Sequence, residues 1–476
     1  MTAKKLHRPS GRRHSVFSTV EIAAASGGRI IGNAEGIVTG VSTDSRTVKP
    51  GELFVPLHGS NFDGHSFIEP VTAQGVETVV AEESWLKKHN VTDAVTVIAV
   101  KSSLRALGDL AAFHRRRFDL PVIAVTGSNG KTTAKEMLAT VLEQTGTGLK
   151  TEGNLNNLIG LPQMIFKMRQ EHHWAVLEMG MSEPGEIDRL AEIALPRVGI
   201  VLNAFPAHLA SMGTVEAVAK AKGELLYRIQ DNGLAVVNAD DPRVASLPQN
   251  SSARRISFGI NRGEVRAEGI ELLGLEGQSF RLMTPKGNIS VELKALGRHA
   301  IFNALATAAA LLEEVSLETI ASGLAAFRPY SRRFSIEKAG SLVLIDDSYN
   351  ANPASTSAAL ATLADLKGPR KAFVALGDML ELGRDEVELH KQLGMQAAAV
   401  ADRLYLVGSL TSHTAQAACD SGMPADAILC SNDHAAISAD ILRHAVEGDL
   451  VLIKGSRGMR MEKIADAVRS MKRRGN

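Results

Sequence analysis

The sequence has few cysteines, few aromatic residues and almost no net charge. Two cysteines in 476 residues exclude a disulfide framework and favour a reducing compartment. Aromatic residues make up 4% and the formal net charge is +1, so neither base stacking nor a global field favours nucleic-acid binding. No apolar run is long enough to span a bilayer. We therefore expect a cytoplasmic protein with no nucleic-acid partner and no stable membrane insertion.

The length of the chain predicts several domains rather than one core. Residues 1–15 are basic, but no apolar segment follows them, so they do not form a secretory signal. We assign a first domain to residues 16–117, a central domain to 118–331 and a C-terminal domain to 332–476.

The most informative stretch is PVIAVTGSNGKTTAK, residues 121–135. Val122–Val125 is an apolar, mostly β-branched run, which is typical of a strand buried on both faces. The next five residues include two glycines, a serine and an asparagine, which suit a tight turn. Lys131 then opens a predicted helix. Backbone N–H groups and the helix dipole favour an anion at such a junction.

This junction predicts a site for the phosphates of a nucleotide. Lys131 can reach the β- and γ-phosphates, and the Thr132 hydroxyl can bind Mg²⁺. Val125 stands where the common phosphate-loop motif has its first glycine, and the alternative is a glycine turn with a chance lysine. The predicted nucleotide-binding residues of the stretch are Gly127, Ser128, Asn129, Gly130, Lys131, Thr132 and Thr133.

Three more side chains are candidates for a metal site in the central domain. Glu178 ends the apolar strand WAVLE, where ligands gather in open α/β sheets, although it could also be a solvated or capping residue. His208 lies in a loop beyond the strand RVGIVLN. Lys222 lies on a predicted helix near Lys220; a solvated lysine is the default, and carbamylation would turn it into a carboxylate-like ligand.

Polar loops supply candidates for substrate contacts. Ser45 and Arg46 lie in STDSR, and an arginine there suits bidentate binding of a nucleotide-sugar diphosphate. A surface turn explains the same residues equally well. Asn154 and Asn157 lie in TEGNLNNLIGLP, close after the phosphate loop in sequence, where an ordinary polar loop is the alternative.

The last third of the chain repeats a strand followed by polar or acidic residues. Examples are LVLIDDSYNANP, KAFVALGD and VLIKGSR, each separated from the next by a helical stretch. This alternation predicts a doubly wound α/β domain with its loops at one edge of the sheet.

In their order along the chain, these motifs resemble the Mur ligase family over nearly the whole sequence. The motifs are TGSNGKTT, LEMG, PAHL, AKAKGE, GRHAIFNALA, RRF, DDSYNANP, GDMLELG and KGSR. The motifs DDSYNANP and GDMLELG resemble those of the family member that adds D-alanyl-D-alanine to a UDP-linked tripeptide. The chain departs from the family pattern at Ala300, where an asparagine is usual, and at Arg332, where the residue before Arg333 is usually glycine.

The resemblance implies an α/β protein of three domains. The first binds a UDP-sugar, the second is a parallel-sheet ATPase-like domain, and the third is Rossmann-like and closes over the site. It also implies that ATP phosphorylates the carboxylate of UDP-N-acetylmuramoyl-tripeptide, that two Mg²⁺ ions assist, and that the amine of D-alanyl-D-alanine then attacks. We expect a monomer.

The resemblance further implies roles for individual residues. Lys131 would neutralise the transferred phosphoryl group. Thr132 and Glu178 would hold one Mg²⁺, and His208 with a carbamylated Lys222 would hold the second. Adenine would contact Asn303, the nucleotide would contact Arg333 and Asp347, and the remaining substrate-binding candidates are Tyr349, Asn350, Lys454, Ser456 and Arg457.

Three other functions remain open from the sequence. A sister ligase would use a different amine or acceptor, which an acceptor-dependence assay would reveal. A phosphate-loop kinase or nucleic-acid-stimulated ATPase would need a basic, aromatic-rich face, which the composition does not favour. A nucleotide-binding scaffold without catalysis would release no phosphate.

Overall fold

The computed structural model describes residues 16–59, 62–207 and 209–470. The predicted basic extension, 1–15, therefore lies outside the described residues. The strands are β1 (Phe17–Ser18), β2 (Arg29–Ile31), β3 (Ile37–Val38), β4 (Val41–Ser42), β5 (Leu53–Phe54), β6 (Thr78–Glu82), β7 (Thr96–Val100), β8 (Val122–Thr126), β9 (Gly148–Lys150), β10 (Trp174–Glu178), β11 (Val198–Val201), β12 (Leu234–Asn238), β13 (Arg254–Gly259), β14 (Val265–Leu272), β15 (Gln278–Thr284), β16 (Gly287–Leu293), β17 (Ser335–Ala339), β18 (Leu342–Asp347), β19 (Ala372–Gly377), β20 (Arg403–Val407), β21 (Ile428–Cys430) and β22 (Leu450–Lys454).

The helices alternate with these strands along most of the chain. They are α1 (Thr19–Ser26), α2 (Ile68–Ala73), α3 (Glu83–Leu86), α4 (Ser103–Arg115), α5 (Lys131–Leu142), α6 (Gly160–Phe166), α7 (Glu186–Ala194), α8 (Leu209–Met212), α9 (Val215–Tyr227), α10 (Pro242–Ala245), α11 (Arg298–Leu311), α12 (Leu317–Ala326), α13 (Pro353–Lys367), α14 (Glu386–Ala398), α15 (Thr411–Asp420), α16 (His434–His444) and α17 (Glu462–Ser470). None of the helices in the described part of the chain combines the length and apolar character needed to cross a membrane.

The chain forms two compact units. The first comprises Met1–Val122, Thr147–Leu177 and Arg189–Leu195. Its main sheet has the order β2-β7-β6-β5-β4, in which β4 to β7 run parallel and β2 runs antiparallel to β7. Every residue of β7 is buried, as expected for a central strand covered on both faces.

An aromatic cluster in the first unit encloses a histidine. His114, at the end of α4, is 3% exposed and packs against the rings of Phe17, Phe118 and Phe166. Burial lowers the pKa of His114 to about 4, and the nearby charge of Arg117 adds to this shift. The unfolded chain therefore binds a proton to this imidazole at a higher pH than the folded chain does.

The stability of this unit should consequently decrease as the pH falls from about 6.5 towards 4. Linkage gives a loss of about 2 kcal/mol between pH 7 and pH 5 from His114 alone. We expect His114→Phe, which keeps an aromatic ring in the cluster, to remove this part of the pH dependence. Both tryptophans of the chain, Trp85 and Trp174, belong to the first unit, so urea unfolding followed by tryptophan fluorescence measures it. Equal pH dependence in the two proteins would contradict the assignment.

The second unit comprises Ile123–Gly146, Glu178–Asp188 and Pro196–Asn476, and it contains two sheets. In the first, the strands run in the order β8-β11-β12-β13-β14-β15-β16. The strands β8 to β14 in this order are parallel, and β15 and β16 extend the sheet antiparallel. α11 packs against α5 and against β12 to β14, so the phosphate-loop helix is fixed to the sheet.

The second sheet of this unit has the order β17-β18-β22-β19-β20-β21. All pairs are parallel except β17 with β18. Alternate residues of β18 point to opposite faces: Val343 and Ile345 join one apolar core, whereas Leu342 and Leu344 join the other. A sheet with an apolar core on each face is doubly wound, as predicted for the C-terminal domain.

The predicted α/β class is confirmed. The strands expected before the phosphate loop, before Glu178 and in the last third of the chain are present as β8, β10, β18, β19, β20 and β22. The sequence interpretation did not identify β17 or β21, which flank the C-terminal sheet at its two edges.

Candidate functional site

The predicted phosphate loop joins β8 to α5. Gly130 has φ +87° and precedes the first residue of the helix, and a Cβ there would lie 2.4 Å from Oδ1 of Asn303. A side chain is therefore excluded both by the backbone conformation and by the close neighbour. The first intrahelical bond closes from Ala134 N–H to the Gly130 carbonyl. The preceding N–H groups have no intrahelical acceptor, and with the helix dipole they favour an anion.

Lys131 folds back over this loop. Its Nζ donates to the carbonyl of Gly127 at 2.7 Å. Burial lowers the pKa of Lys131; the charge of Glu178 opposes this shift and that of Arg333 adds to it. The ammonium group thus lies at the helix N-terminus, where it can neutralise an incoming phosphate.

Two predicted Mg²⁺ ligands meet beside Lys131. The hydroxyl of Thr132 donates to Oε2 of Glu178 at 3.0 Å, and both side chains are buried. Mg²⁺ prefers oxygen ligands, and it is usually bound by one or two such protein groups together with phosphate oxygens. The chemistry and proximity of these two groups fit that ion.

Lys222 is buried on α9, with 3% of its surface exposed. Burial lowers its pKa well below the ordinary value for lysine, and the charge of Lys131 adds to the shift. Lys220, two residues earlier, is exposed. His208, the predicted partner of Lys222 at a second metal ion, lies outside the described residues.

The tip of the phosphate loop is held by a residue that the sequence interpretation missed. Oδ1 of Asn203 accepts the N–H of Asn129 at 2.9 Å, and its Nδ2 donates to the Asn129 carbonyl at 3.1 Å. Ser128 donates its N–H to the Asn203 carbonyl, and its hydroxyl donates to the carbonyl of Phe205 and accepts the Phe205 N–H. The N–H groups of two predicted phosphate-binding residues are thus engaged within the protein. The only signal in the sequence was an asparagine directly after an apolar strand.

We expect Asn203→Ala to loosen the loop and to raise the KM for ATP about tenfold, because it removes two hydrogen bonds to the Asn129 backbone. Amide hydrogen exchange should increase at Ser128 and Asn129. The matched control is Asn288→Ala, at an exposed position on β16. An unchanged KM together with unchanged exchange would show that this side chain does not shape the loop.

Arg333 reaches the loop from the C-terminal part of the unit. Its guanidinium donates to the Thr132 hydroxyl at 3.2 Å and lies over the ring of Tyr349, 3.8 Å from the centroid. The two flanking residues, Arg332 and Phe334, have φ values of +64° and +52°. This conformation is strained for residues with side chains, so the turn that presents Arg333 is held by the surrounding structure.

Asp347 supports that turn. Its Oδ1 accepts the N–H of Phe334 at 3.1 Å, and its Oδ2 binds Nζ of Lys454 at 2.6 Å. Asp347 and Lys454 are register partners at the carboxyl ends of the parallel strands β18 and β22. Asn303, predicted to contact adenine, is buried and lies against Gly130 of the phosphate loop.

The other C-terminal candidates form one hydrogen-bonded edge. Lys454 also donates to the carbonyl of Asn350 at 3.0 Å, and the Arg457 N–H donates to Oδ1 of Asn350 at 3.3 Å. The hydroxyl of Ser456 accepts the N–H of Leu380 and donates to a carbonyl of the DDSYNANP loop. These hydrogen bonds bring DDSYNANP, GDMLELG and KGSR together at one edge of the sheet. The Ser456 hydroxyl is bonded to protein groups on both its donor and its acceptor side.

The candidates of the first unit lie on polar loops. Arg46 makes a bidentate pair with Asp44, which lowers the Asp44 pKa to about 2, and Ser45 lies between them in the chain. Asn157 accepts the N–H of Gly160 at 2.8 Å at the start of α6, whereas Asn154 is exposed. To bind a diphosphate, the Arg46 guanidinium would have to break its hydrogen bonds to Asp44 or divide its donors between Asp44 and the diphosphate.

Comparisons with known proteins match most of the chain. Family models match residues 37–115 (Mur ligase family, catalytic domain), 125–311 (Mur ligase middle domain) and 332–457 (Mur ligase, glutamate ligase domain). The UDP-N-acetylmuramoyl-tripeptide–D-alanyl-D-alanine ligase of Escherichia coli is 36% identical over 90% of this chain and 93% of that protein.

Solved structures agree with these matches. The crystal structure of MurF from Acinetobacter baumannii has a TM-score of 0.87 at 32% identity, covering 96% of this chain and 100% of that one. MurF ligase from Thermotoga maritima, solved in complex with ADP, has a TM-score of 0.82 at 29% identity, covering 92% of this chain and 98% of that one.

Proposed function

Because this chain belongs to the Mur ligase family, we propose that it is an ATP-dependent ligase that joins D-alanyl-D-alanine to UDP-N-acetylmuramoyl-tripeptide. The observation that carries the proposal is the meeting of Lys131, the Thr132–Glu178 pair and Arg333 at the N-terminus of α5. The comparisons support the choice of substrates through the name of the Escherichia coli relative and the extent of the match.

The proposed chemistry follows from the low reactivity of a carboxylate towards amines. Transfer of the γ-phosphoryl group of ATP to the tripeptide carboxylate gives an acyl phosphate, which an amine can attack with loss of phosphate. The N-terminus of α5 and Lys131 would bind and orient the triphosphate. Arg333, whose guanidinium donates to the Thr132 hydroxyl, would neutralise further charge on the triphosphate. Mg²⁺, held by Thr132 and Glu178, would supply further charge neutralisation at the phosphates.

We assign Lys222 to a second metal site, together with His208. The support is its burial on α9 near the charge of Lys131, because both lower the pKa of this amine and so favour the neutral form, which is the form that reacts with carbon dioxide. Carbamylation would turn this amine into an anionic oxygen ligand.

We place the UDP-sugar near Ser45 and Arg46, the acceptor peptide near Asn154 and Asn157, and the dipeptide near Tyr349, Asn350 and the 454–457 loop. The assignments of Asn303 to adenine and of Asp347 to the nucleotide are retained, although Asp347 would act through Lys454 and Phe334. The domain limits 16–117, 118–331 and 332–476, a monomeric state and a cytoplasmic location also remain proposals. ATP consumption and a nucleotide-linked substrate support that location.

Phosphate release with each reactant omitted in turn tests this function. We expect release only when ATP, UDP-N-acetylmuramoyl-tripeptide and D-alanyl-D-alanine are all present, with free amino acids and folates inactive as replacements. Release driven by an amino acid would identify a sister ligase instead. Release that depends on nucleic acid, or no release with any combination, would contradict a ligase function.

A further inference from the structure

Two asparagines far apart in the chain form a reciprocal pair beside the phosphate loop. Nδ2 of Asn129 donates to Oδ1 of Asn352 at 3.1 Å, and Nδ2 of Asn352 donates to Oδ1 of Asn129 at 2.7 Å. The two residues are 223 positions apart, and both are part-buried. Each carboxamide therefore offers the other both a donor and an acceptor.

Both partners are fixed by other bonds. Oδ1 of Asn352 also accepts the N–H of Ser355 at 2.9 Å, so the same residue is the N-cap of α13. The backbone of Asn129 is bound by Asn203. The pair thus connects the phosphate loop, whose backbone is bound by Asn203, with the N-terminus of α13, which Asn352 itself caps.

The residues before α13 extend this connection to the C-terminal edge. Asn352 is the penultimate residue of DDSYNANP, whose Asp347 and Asn350 bind Lys454. The same loop carries Tyr349, which lies beneath the guanidinium of Arg333. A displacement of Asn352 would move the loop that orients Arg333 relative to the phosphate loop.

We propose that Asn352 is a positioning residue for phosphoryl transfer, acting through Asn129 to hold the phosphate loop in register with the Arg333 turn. This inference rests on the proposed ligase function. The pair contacts the phosphate loop through the Asn129 side chain, and its two bonds join only the two carboxamides. The Asn203 bonds to the Asn129 backbone remain when the pair is lost. Its loss should therefore misalign the reacting groups and lower kcat by a larger factor than it raises the KM for ATP.

Two variants remove the pair from opposite sides. Asn352→Ser keeps an N-cap hydroxyl for α13 and removes both inter-amide bonds. Asn129→Ala removes the same bonds and leaves the backbone groups that Asn203 binds. We expect each to lower kcat about tenfold, and the double variant to lower it no further, because both remove one interaction. Ser355→Ala, which affects the cap and not the pair, should keep kcat within about twofold of wild type.

Amide hydrogen exchange of the full-length protein without substrates provides a readout independent of catalysis. Asn352→Ser and Asn129→Ala should each increase exchange in residues 127–131 and in the first turn of α13, and Ser355→Ala should affect α13 alone. A kcat for Asn352→Ser within twofold of wild type, additive losses in the double variant, or unchanged exchange at residues 127–131 would each overturn the proposal. If wild type releases no phosphate, the ligase function fails by itself, and the exchange data alone then decide whether the pair couples the two segments.

Discussion

Lys131→Ala is expected to abolish ATP-dependent phosphate release, with kcat reduced by about a thousandfold or more. Lys131 is the cation at the N-terminus of α5, and its Nζ lies 2.7 Å from the Gly127 carbonyl at the start of the loop. Without it, the charge that develops on the transferred phosphoryl group would lose its nearest neutralising group in a poorly solvated site. The measurement is steady-state phosphate release with all three substrates at saturating concentrations.

The control for this variant is Lys220→Ala, which removes an exposed lysine from α9 and should leave kcat unchanged. Thermal unfolding of both variants should match wild type, because Lys131 contacts a loop carbonyl rather than an apolar core. Turnover of Lys131→Ala within tenfold of wild type would contradict the role given to the phosphate loop.

Lys222→Ala should lower kcat by about a hundredfold to a thousandfold, with partial recovery on addition of formate or acetate. The substitution leaves a space where the proposed carbamate would lie, and a small carboxylate can supply the same oxygen ligands. Lys220→Ala, from the same helix, should show neither the loss nor the recovery. Steady-state turnover across a concentration series of each acid measures the effect.

Two results would argue against a carbamate at Lys222. Full activity of Lys222→Ala would show that the residue is not needed for catalysis. A loss that no carboxylic acid relieves, together with wild-type activity that is unchanged after removal of dissolved carbon dioxide, would indicate that the free amine is the active form.

Local patterns in the sequence predicted the elements whose conformation is set by residues close together in the chain. A β-branched apolar run, a glycine turn and a helix start fix the conformation from Val122 to Lys131 within a few residues of chain. The strand that ends at Glu178 follows from a short apolar run in the same way. Glu178 was expected near a ligand because ligands gather at the carboxyl ends of the strands in open α/β sheets. Its pairing with Thr132 at one Mg²⁺ came from the resemblance to the Mur ligases.

Contacts between distant segments were beyond the reach of those patterns. The pair of Asn129 with Asn352 depends on how two sheets of the second unit are placed, and an isolated asparagine carries no signal of its partner. The hydrogen bonds between Asn203 and the Asn129 backbone depend on the register of β11 against β8, because Asn203 follows β11 and Asn129 follows β8. The positive φ values of Arg332 and Phe334 occur at residues that rarely adopt them, so composition gives no indication of that turn.

Several residues expected to contact ligands also have structural partners. Asp347 is bound to Lys454 and to the Phe334 N–H, and Arg46 is bound to Asp44. Sequence reasoning assigns a charged residue to a ligand because of its chemistry, whereas the same chemistry serves equally well for an internal ion pair. Their roles at a ligand therefore stay predictions.

Transfer of oxygen-18 tests the central claim, that the tripeptide carboxylate is activated by phosphorylation. UDP-N-acetylmuramoyl-tripeptide labelled with oxygen-18 in its terminal carboxylate is incubated with ATP, Mg²⁺, D-alanyl-D-alanine and the enzyme, and the released phosphate is analysed by mass spectrometry. The account predicts one labelled oxygen in each phosphate released from fully labelled substrate. Amide formation with unlabelled phosphate, or without ATP, would contradict it.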